Sequence, residues 1–147
     1  MDLDTIIDQA SIYIGCDTTN HWLYVDWRGE HTQASSQAAC MLMLQSMRTR
    51  PCAKILNDNS NITRTTAMLT PWGAWWLEEM MRAGLAFIAW VYPRNFEARQ
   101  QMDTAMQRTE RPVVAGFDDV AFAYVWLQKQ VVPAPQPTCP ASSTESY

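Results

Sequence analysis

The stretch LAFIAWVYP, residues 85–93, is apolar almost without interruption. A strand with one face in water alternates apolar and polar side chains, because successive residues point to opposite faces. A strand apolar on both faces must be covered on both, the usual state of parallel strands in an α/β sheet. The run is far shorter than the roughly 20 residues of a membrane-spanning helix. Helix signals lie on either side of it. This one segment therefore points to strands alternating with helices.

The rest of the chain reads consistently. Residues 1–10 form a lead-in of about one helical turn. SIYIGC (11–16) reads as a strand, DTTN (17–20) as a polar turn, and HWLYVDWRG (21–29) as a second strand. In that strand Trp22, Tyr24 and Asp26 point one way and Leu23, Val25 and Trp27 the other. The pair makes an antiparallel hairpin. Residues 32–50 are a helix whose stripe is Ala39, Cys40, Met43, Leu44 and Met47, ended by Pro51. CAKILND (52–58) is a short central strand. Residues 70–84 are a helix with Thr70 as cap, Pro71 in the first turn and Gly84 at the end. Its stripe is Trp72, Trp76, Met80 and Ala83. A third helix is expected over 95–109, a strand over 112–117 and a fourth helix over 118–130. Residues 131–147, rich in Pro, Ser and Thr, read as a disordered tail. The expected architecture is one α/β domain over residues 1–130. It has a mixed, mostly parallel sheet of about five strands and about four helices, with right-handed crossovers.

Composition excludes several roles. The chain has 147 residues and a net charge of −4, and its Lys and Arg form no basic stripe, so nucleic acid is not expected as a partner. The N-terminus MDLDTIIDQA lacks the basic and apolar regions of a signal peptide, which points to the cytoplasm. Cys16, Cys40, Cys52 and Cys139 form no CxxC pair, and His21 and His31 fall in different elements. Four clustered zinc ligands are therefore absent from the pattern. Free thiols, no metal and no cofactor are expected. His31, Asp26 and Glu30 read as a solvated edge near the hairpin's end.

The unusual feature is KILNDNSNITRTTAM, residues 54–68. A short apolar strand runs into Asn57, Asp58, Asn59, Ser60 and Asn61, then Thr63, Arg64, Thr65 and Thr66. Such residues bond local backbone and compete with a sheet ladder, so a loop is expected at the strand's C-terminal end. That is where α/β sheets place functional sites. No G-x-S-x-G, H-E-x-x-H or Gly-rich phosphate loop accompanies it. A calcium loop would need a Gly at the sharp turn and a bidentate Glu, and neither stands there. Asn57, Asp58, Asn59, Ser60, Thr63, Arg64, Thr65 and Thr66 are the candidate interaction or switch loop. Trp72, Trp75 and Trp76 are a candidate interface or pocket lining. Trp75 lies about 100° round the helix from Trp76 and is expected to be exposed.

The stretches LYVDWRG, KILNDNS, WWLEEMMRAGLAFIAWVYP and FDDVAFAYVWL resemble the SpoIIAA-like fold of STAS and STAS/SEC14-like domains, within an uncharacterised bacterial branch. The likeness covers most of residues 11–130. In the anti-sigma antagonists of that superfamily a D-x-S-x-V-like turn precedes a D-S-S-G-L-like stretch. The serine of that stretch is phosphorylated at a helix N-terminus. Asp58-Asn59-Ser60-Asn61-Ile62 matches the first element. The second is replaced by Thr63-Arg64-Thr65-Thr66-Ala67-Met68, with Thr65 or Thr66 at the serine's place. The resemblance implies a non-catalytic regulatory or protein-interaction module. The expected partner is a protein, a second copy of the chain included. The alternative is a small apolar-ligand or lipid-binding module, and the third reading is an enzyme whose site no motif announces.

Overall fold

The computed structural model describes residues 1–66, 70–94, 97, 99–100, 103–104 and 110–132. The strands are β1 (Leu3–Asp8), β2 (Ile12–Asp17), β3 (Trp22–His31), β4 (Lys54–Thr65), β5 (Phe87–Val91) and β6 (Val113–Phe117). The bounded helices are α1 (Gln33–Thr49), α2 (Pro71–Arg82) and α3 (Val120–Lys129). One six-stranded sheet runs in the order β1-β2-β3-β4-β5-β6. The first two pairings are antiparallel and the last three parallel. The α/β class and mixed sheet are as expected.

The strand count differs by one. The lead-in is a strand, β1, pairing with β2. Its register slips between Thr5 and Ile7, leaving Ile6 as an extra residue. A bulge of this kind lets two successive side chains share one side. Ile6 and Ile7 both pack against the same core. The bulge breaks the period-2 alternation by which the strand would have been recognised.

Local polar side chains and glycine set several of the element ends. Thr32 accepts from the Ser35 N–H at 3.1 Å while the Ser35 hydroxyl accepts from the Thr32 N–H at 2.8 Å, closing a reciprocal box at the start of α1. Asp17 organises the β2–β3 turn, its carboxylate accepting the backbone N–H groups of Thr19 and Asn20 at 3.0 Å each. Gly84, at φ 117°, lies in the region that favours glycine and ends the α2 segment. Thr70 precedes α2 but makes no side-chain cap bond.

The sheet is covered on both faces. α1 and α2 close one face over Ile12, Ile14, Leu23, Val25, Trp27, Ile55 and Ile88, with Met43, Leu44, Met47 and Met80 from the helices. α3 lies on the other, with Ala123 and Leu127 against Trp22, Leu56, Ala89 and Val91. The alternation read in β3 is therefore a division between two cores. On α2 only Met80 is fully buried; Trp76 is half-buried, donating its indole N–H to the Cys40 carbonyl at 2.7 Å, and Trp72 is half-buried. The expected helix at 95–109 has its cap Asn95 and apolar residues Phe96, Met102, Ala105 and Met106 outside the described residues. Its described members, Glu97, Arg99, Gln100, Asp103 and Thr104, are helical. The expected tail lies outside the described residues from 133 onward.

Candidate functional site

The polar stretch is strand. Residues 57–65 continue β4 alongside β3, and Asn57, Asp58 and Asn59 are buried. The expected loop is thus corrected. β3 is ten residues long and keeps offering ladder partners, which a short strand would not. The mismatch is absorbed by two irregularities. Asp26 pairs with Asp58 but Arg28 with Asn61, and Gly29 with Ile62 but Glu30 with Arg64, so β4 holds an extra residue at each point.

The buried polar groups have partners, which removes most of the cost of burying them. Asn57 turns toward the α1/α2 core, where its side-chain oxygen accepts the Trp27 indole N–H at 2.8 Å. Asp58 turns to the opposite face. One of its oxygens accepts the Tyr24 hydroxyl at 2.9 Å, and the other accepts the Ser60 hydroxyl and N–H at 2.7 and 3.0 Å. Beside it, Asp26 accepts from Arg28 at 3.0 Å and from the Asn61 amide at 2.9 Å. Arg28 also pairs with Asp8 at 3.2 Å and lies 5.5 Å over the Tyr13 ring. Burial, then the charge of Asp58, holds the Tyr24 hydroxyl well above the usual tyrosine range. Tyr24 therefore serves as a donor to Asp58.

The solvated edge expected at His31, Asp26 and Glu30 holds only for Glu30. His31 is 2% exposed and Asp26 8%. His31 Nε2 lies 3.1 Å from the Ser11 carbonyl, which can only accept, so that nitrogen carries the proton; Nδ1 lies 3.2 Å from the Ser35 hydroxyl. Its ring is 5.0 Å from Trp27. The imidazole is a strut between β2, β3 and α1.

Of the residues singled out in sequence, Asn57, Asp58, Asn59 and Ser60 join this network. Thr63, Arg64 and Thr66 are exposed beyond it, and Thr65 is half-buried. Trp75 is 43% exposed, its ring 5.8 Å from that of Trp72. Trp76 is separate from this pair in role, being bonded to α1. Tyr24, Asp26 and Arg28 were not singled out as a site. The signal for them was the shared face of Tyr24 and Asp26, read on a strand that proves to lie beside β4.

Among the described residues no group of three or more His, Cys, Asp or Glu is placed to hold a metal. A cavity of about 310 Å³ at the C-terminal ends of β5 and β6 is lined by Tyr92, Pro93, Arg94, Arg99 and Asp118. Arg99 pairs with Asp118 and lies 4.6 Å over the Tyr92 ring. Burial pushes the Tyr92 hydroxyl up to about 12, with the Asp103 carboxylate it donates to as a second cause. No described helix is long and apolar enough to cross a membrane.

No protein-family model matches the chain, and no curated protein matches it by sequence. Solved structures do match its fold. An uncharacterised protein of the DUF3478 family with a SpoIIAA-like fold, from Shewanella loihica PV-4, aligns with a TM-score of 0.52 at 16% identity. The alignment covers 83% of this chain and 98% of that one. The anti-sigma factor antagonist SpoIIAA, in its unphosphorylated form, aligns with a TM-score of 0.50 at 9% identity, covering 88% of this chain and all of that one. The strand order, the helix-covered sheet and these two alignments agree, and the chain has a SpoIIAA-like fold.

Proposed function

We propose that the chain is a non-catalytic regulatory module that works by protein contact. Its contact residues are Thr63, Arg64 and Thr66 at the exposed end of β4, together with Trp75 on α2. One observation carries this reading. The buried polar residues of β4 are bonded to one another and to β3, whereas the residues just beyond them are exposed at the C-terminal end of a parallel strand. Asp58, the obvious general base for a nearby hydroxyl, already accepts from Tyr24 and Ser60. His31 is fixed by Ser11 and Ser35. This arrangement favours a rigid platform over a reacting centre.

The fold likeness to an anti-sigma factor antagonist supports the same class. Exposed indoles and arginines are both common interface anchors. A phosphate on Thr66 would add about two negative charges close in sequence to Arg64. The described cavity, with two arginines and an aspartate in its wall, gives no support to a lipid-binding reading. The half-buried thiols Cys16, Cys40 and Cys52 suit a reducing cytoplasm.

The test compares the wild type with the Arg64→Glu/Trp75→Ala double variant as bait in extract from the native host. The expected result is a defined partner captured by the wild type and lost by the variant, with melting temperature nearly unchanged. Equal capture by both, or no specific partner for either, overturns the reading.

A further inference from the structure

Tyr92 follows β5 and Asp118 follows β6, so the turns that leave two neighbouring parallel strands lie at the same end of the sheet. Ligands of α/β sheets commonly sit at that end. The Tyr92 N–H donates to the Phe117 carbonyl at 2.8 Å and ties the two turns together. The cavity of about 310 Å³ is bordered by both turns, its wall formed by Tyr92, Pro93, Arg94, Arg99 and Asp118. That volume is at the lower end of those of small-molecule sites.

The wall is rich in donors and poor in acceptors. An arginine carries five N–H donors and no acceptor. Arg94 is exposed and has no hydrogen bond or ion pair among the described residues. Arg99 is held in place. Its guanidinium lies 4.6 Å over the Tyr92 ring, and its Nη1 pairs with Asp118. The Tyr92 ring is fixed in turn, because its hydroxyl donates to Asp103. Among the described residues the other two nitrogens of Arg99 have no acceptor. The Asp118 side chain is 71% exposed, so water weakens its hold on Arg99. In a chain of net charge −4, this wall sets two cations against one carboxylate.

We propose that the cavity binds a small organic phosphate, with Arg94 and Arg99 as the groups that hold it. A phosphate group brings about two negative charges and three acceptor oxygens. A carboxylate brings one charge and two oxygens, and Asp118 already supplies one. Guanidinium forks suit phosphate oxygens, and the plane of Arg99 is set by Tyr92 before the ligand arrives. Asp118 opposes the ligand, which must share Arg99 with it. This inference is independent of the reading at Arg64 and Trp75.

Methyl phosphate titrated into the nitrogen-15-labelled full-length chain at low salt tests it. The expected result is a saturable shift of the Tyr92, Arg94, Arg99 and Asp118 amide resonances. Arg94→Glu should weaken binding by roughly tenfold or more. Asp118→Asn should tighten it by roughly threefold or more, since a repelling charge is removed. Both side chains are exposed, so both variants should melt near the wild type. If Arg94→Glu disturbs folding, Arg94→Gln replaces it. Acetate at the same ionic strength should leave the four amides almost unshifted. Absence of a saturable shift at these amides overturns the proposal, as does an affinity unchanged in either variant. Acetate binding as tightly as methyl phosphate overturns the choice of phosphate.

Discussion

The sheet face under α1 and α2 is almost entirely hydrocarbon, whereas the face carrying α3 passes from Leu56 to the carboxylate of Asp58 within two residues. On the first face helices supply Met43, Leu44, Met47 and Met80 opposite the strands, and the buried amide of Asn57 is bonded to the Trp27 indole. On the second, α3 lies against β4, β5 and β6. Away from it, Tyr24, Asp26, Arg28 and Asp58 bond to one another. A face fully opposed by apolar side chains gains by excluding water. Where the described helices leave strands uncovered, the face stays ordered by linking polar groups along them, and each link is worth about 1 kcal/mol net. The contrast predicts that substitutions on the two faces differ in size and in their response to pH and salt.

The largest effect belongs to the hydrocarbon face. Leu44 is fully buried, and Leu44→Ala should lower unfolding free energy by about 2–5 kcal/mol through lost transfer energy and the cavity left behind. Chemical denaturation measures this directly. A loss below about 1 kcal/mol would mean that this face collapses around the missing side chain, and the contrast would fail.

Asp58→Ala should come next, at about 1–3 kcal/mol, because the Tyr24 and Ser60 hydroxyls lose their acceptor. Asp58→Asn keeps one acceptor oxygen and should lose less. The pH response carries a definite sign. The Tyr24 pKa is raised in the folded chain from an ordinary 10.0, by burial first and by Asp58 second. Its contribution is fully present below pH 10 and is lost as pH rises further, since unfolded tyrosines ionise there while Tyr24 stays neutral. In Asp58→Ala the Tyr24 pKa should fall, though burial keeps it above the ordinary value. An ultraviolet titration of the phenols separates the two proteins. An unchanged titration would remove Asp58 as a cause.

Much of this fold was legible. The apolar run in β5 announced a sheet covered on both faces, and the alternation in β3 divided Leu23, Val25 and Trp27 from Trp22 and Tyr24 as the two cores do. What escaped was non-local. The bulge at Ile6 removed the periodicity of β1. The asparagines and aspartate of β4 have turn propensity, but β3 supplies ladder partners out to Thr65, and pairing overrides propensity. His31 read as surface because Ser11, just before β2, and Ser35, in α1, are brought to its ring only by the fold. Thr63, Arg64 and Thr66 were identified in sequence, yet the burial of Asp58 among Tyr24 and Ser60 required coordinates.

The smallest effect sharpens the contrast most. Arg28 is partly exposed and pairs with Asp26, which is buried, and with Asp8, which is not. Exposed pairs contribute roughly 0–1 kcal/mol and are screened by salt. Arg28→Ala should therefore cost about 1 kcal/mol at low salt, at the top of that range, because Asp26, among the described residues, then keeps only Asn61 as a bonded partner. Arg50→Ala, which removes a pair with the half-exposed Asp4, should cost less and lose its whole effect in high salt. Denaturation of both variants at two salt concentrations gives the answer. If the two respond identically, Asp26 is as well solvated as Asp4, and the polar face is held by its tyrosine–aspartate contacts alone. A residual cost for Arg28→Ala at high salt locates the arginine inside the network, as the ion that lets β3 bury the Asp26 carboxylate.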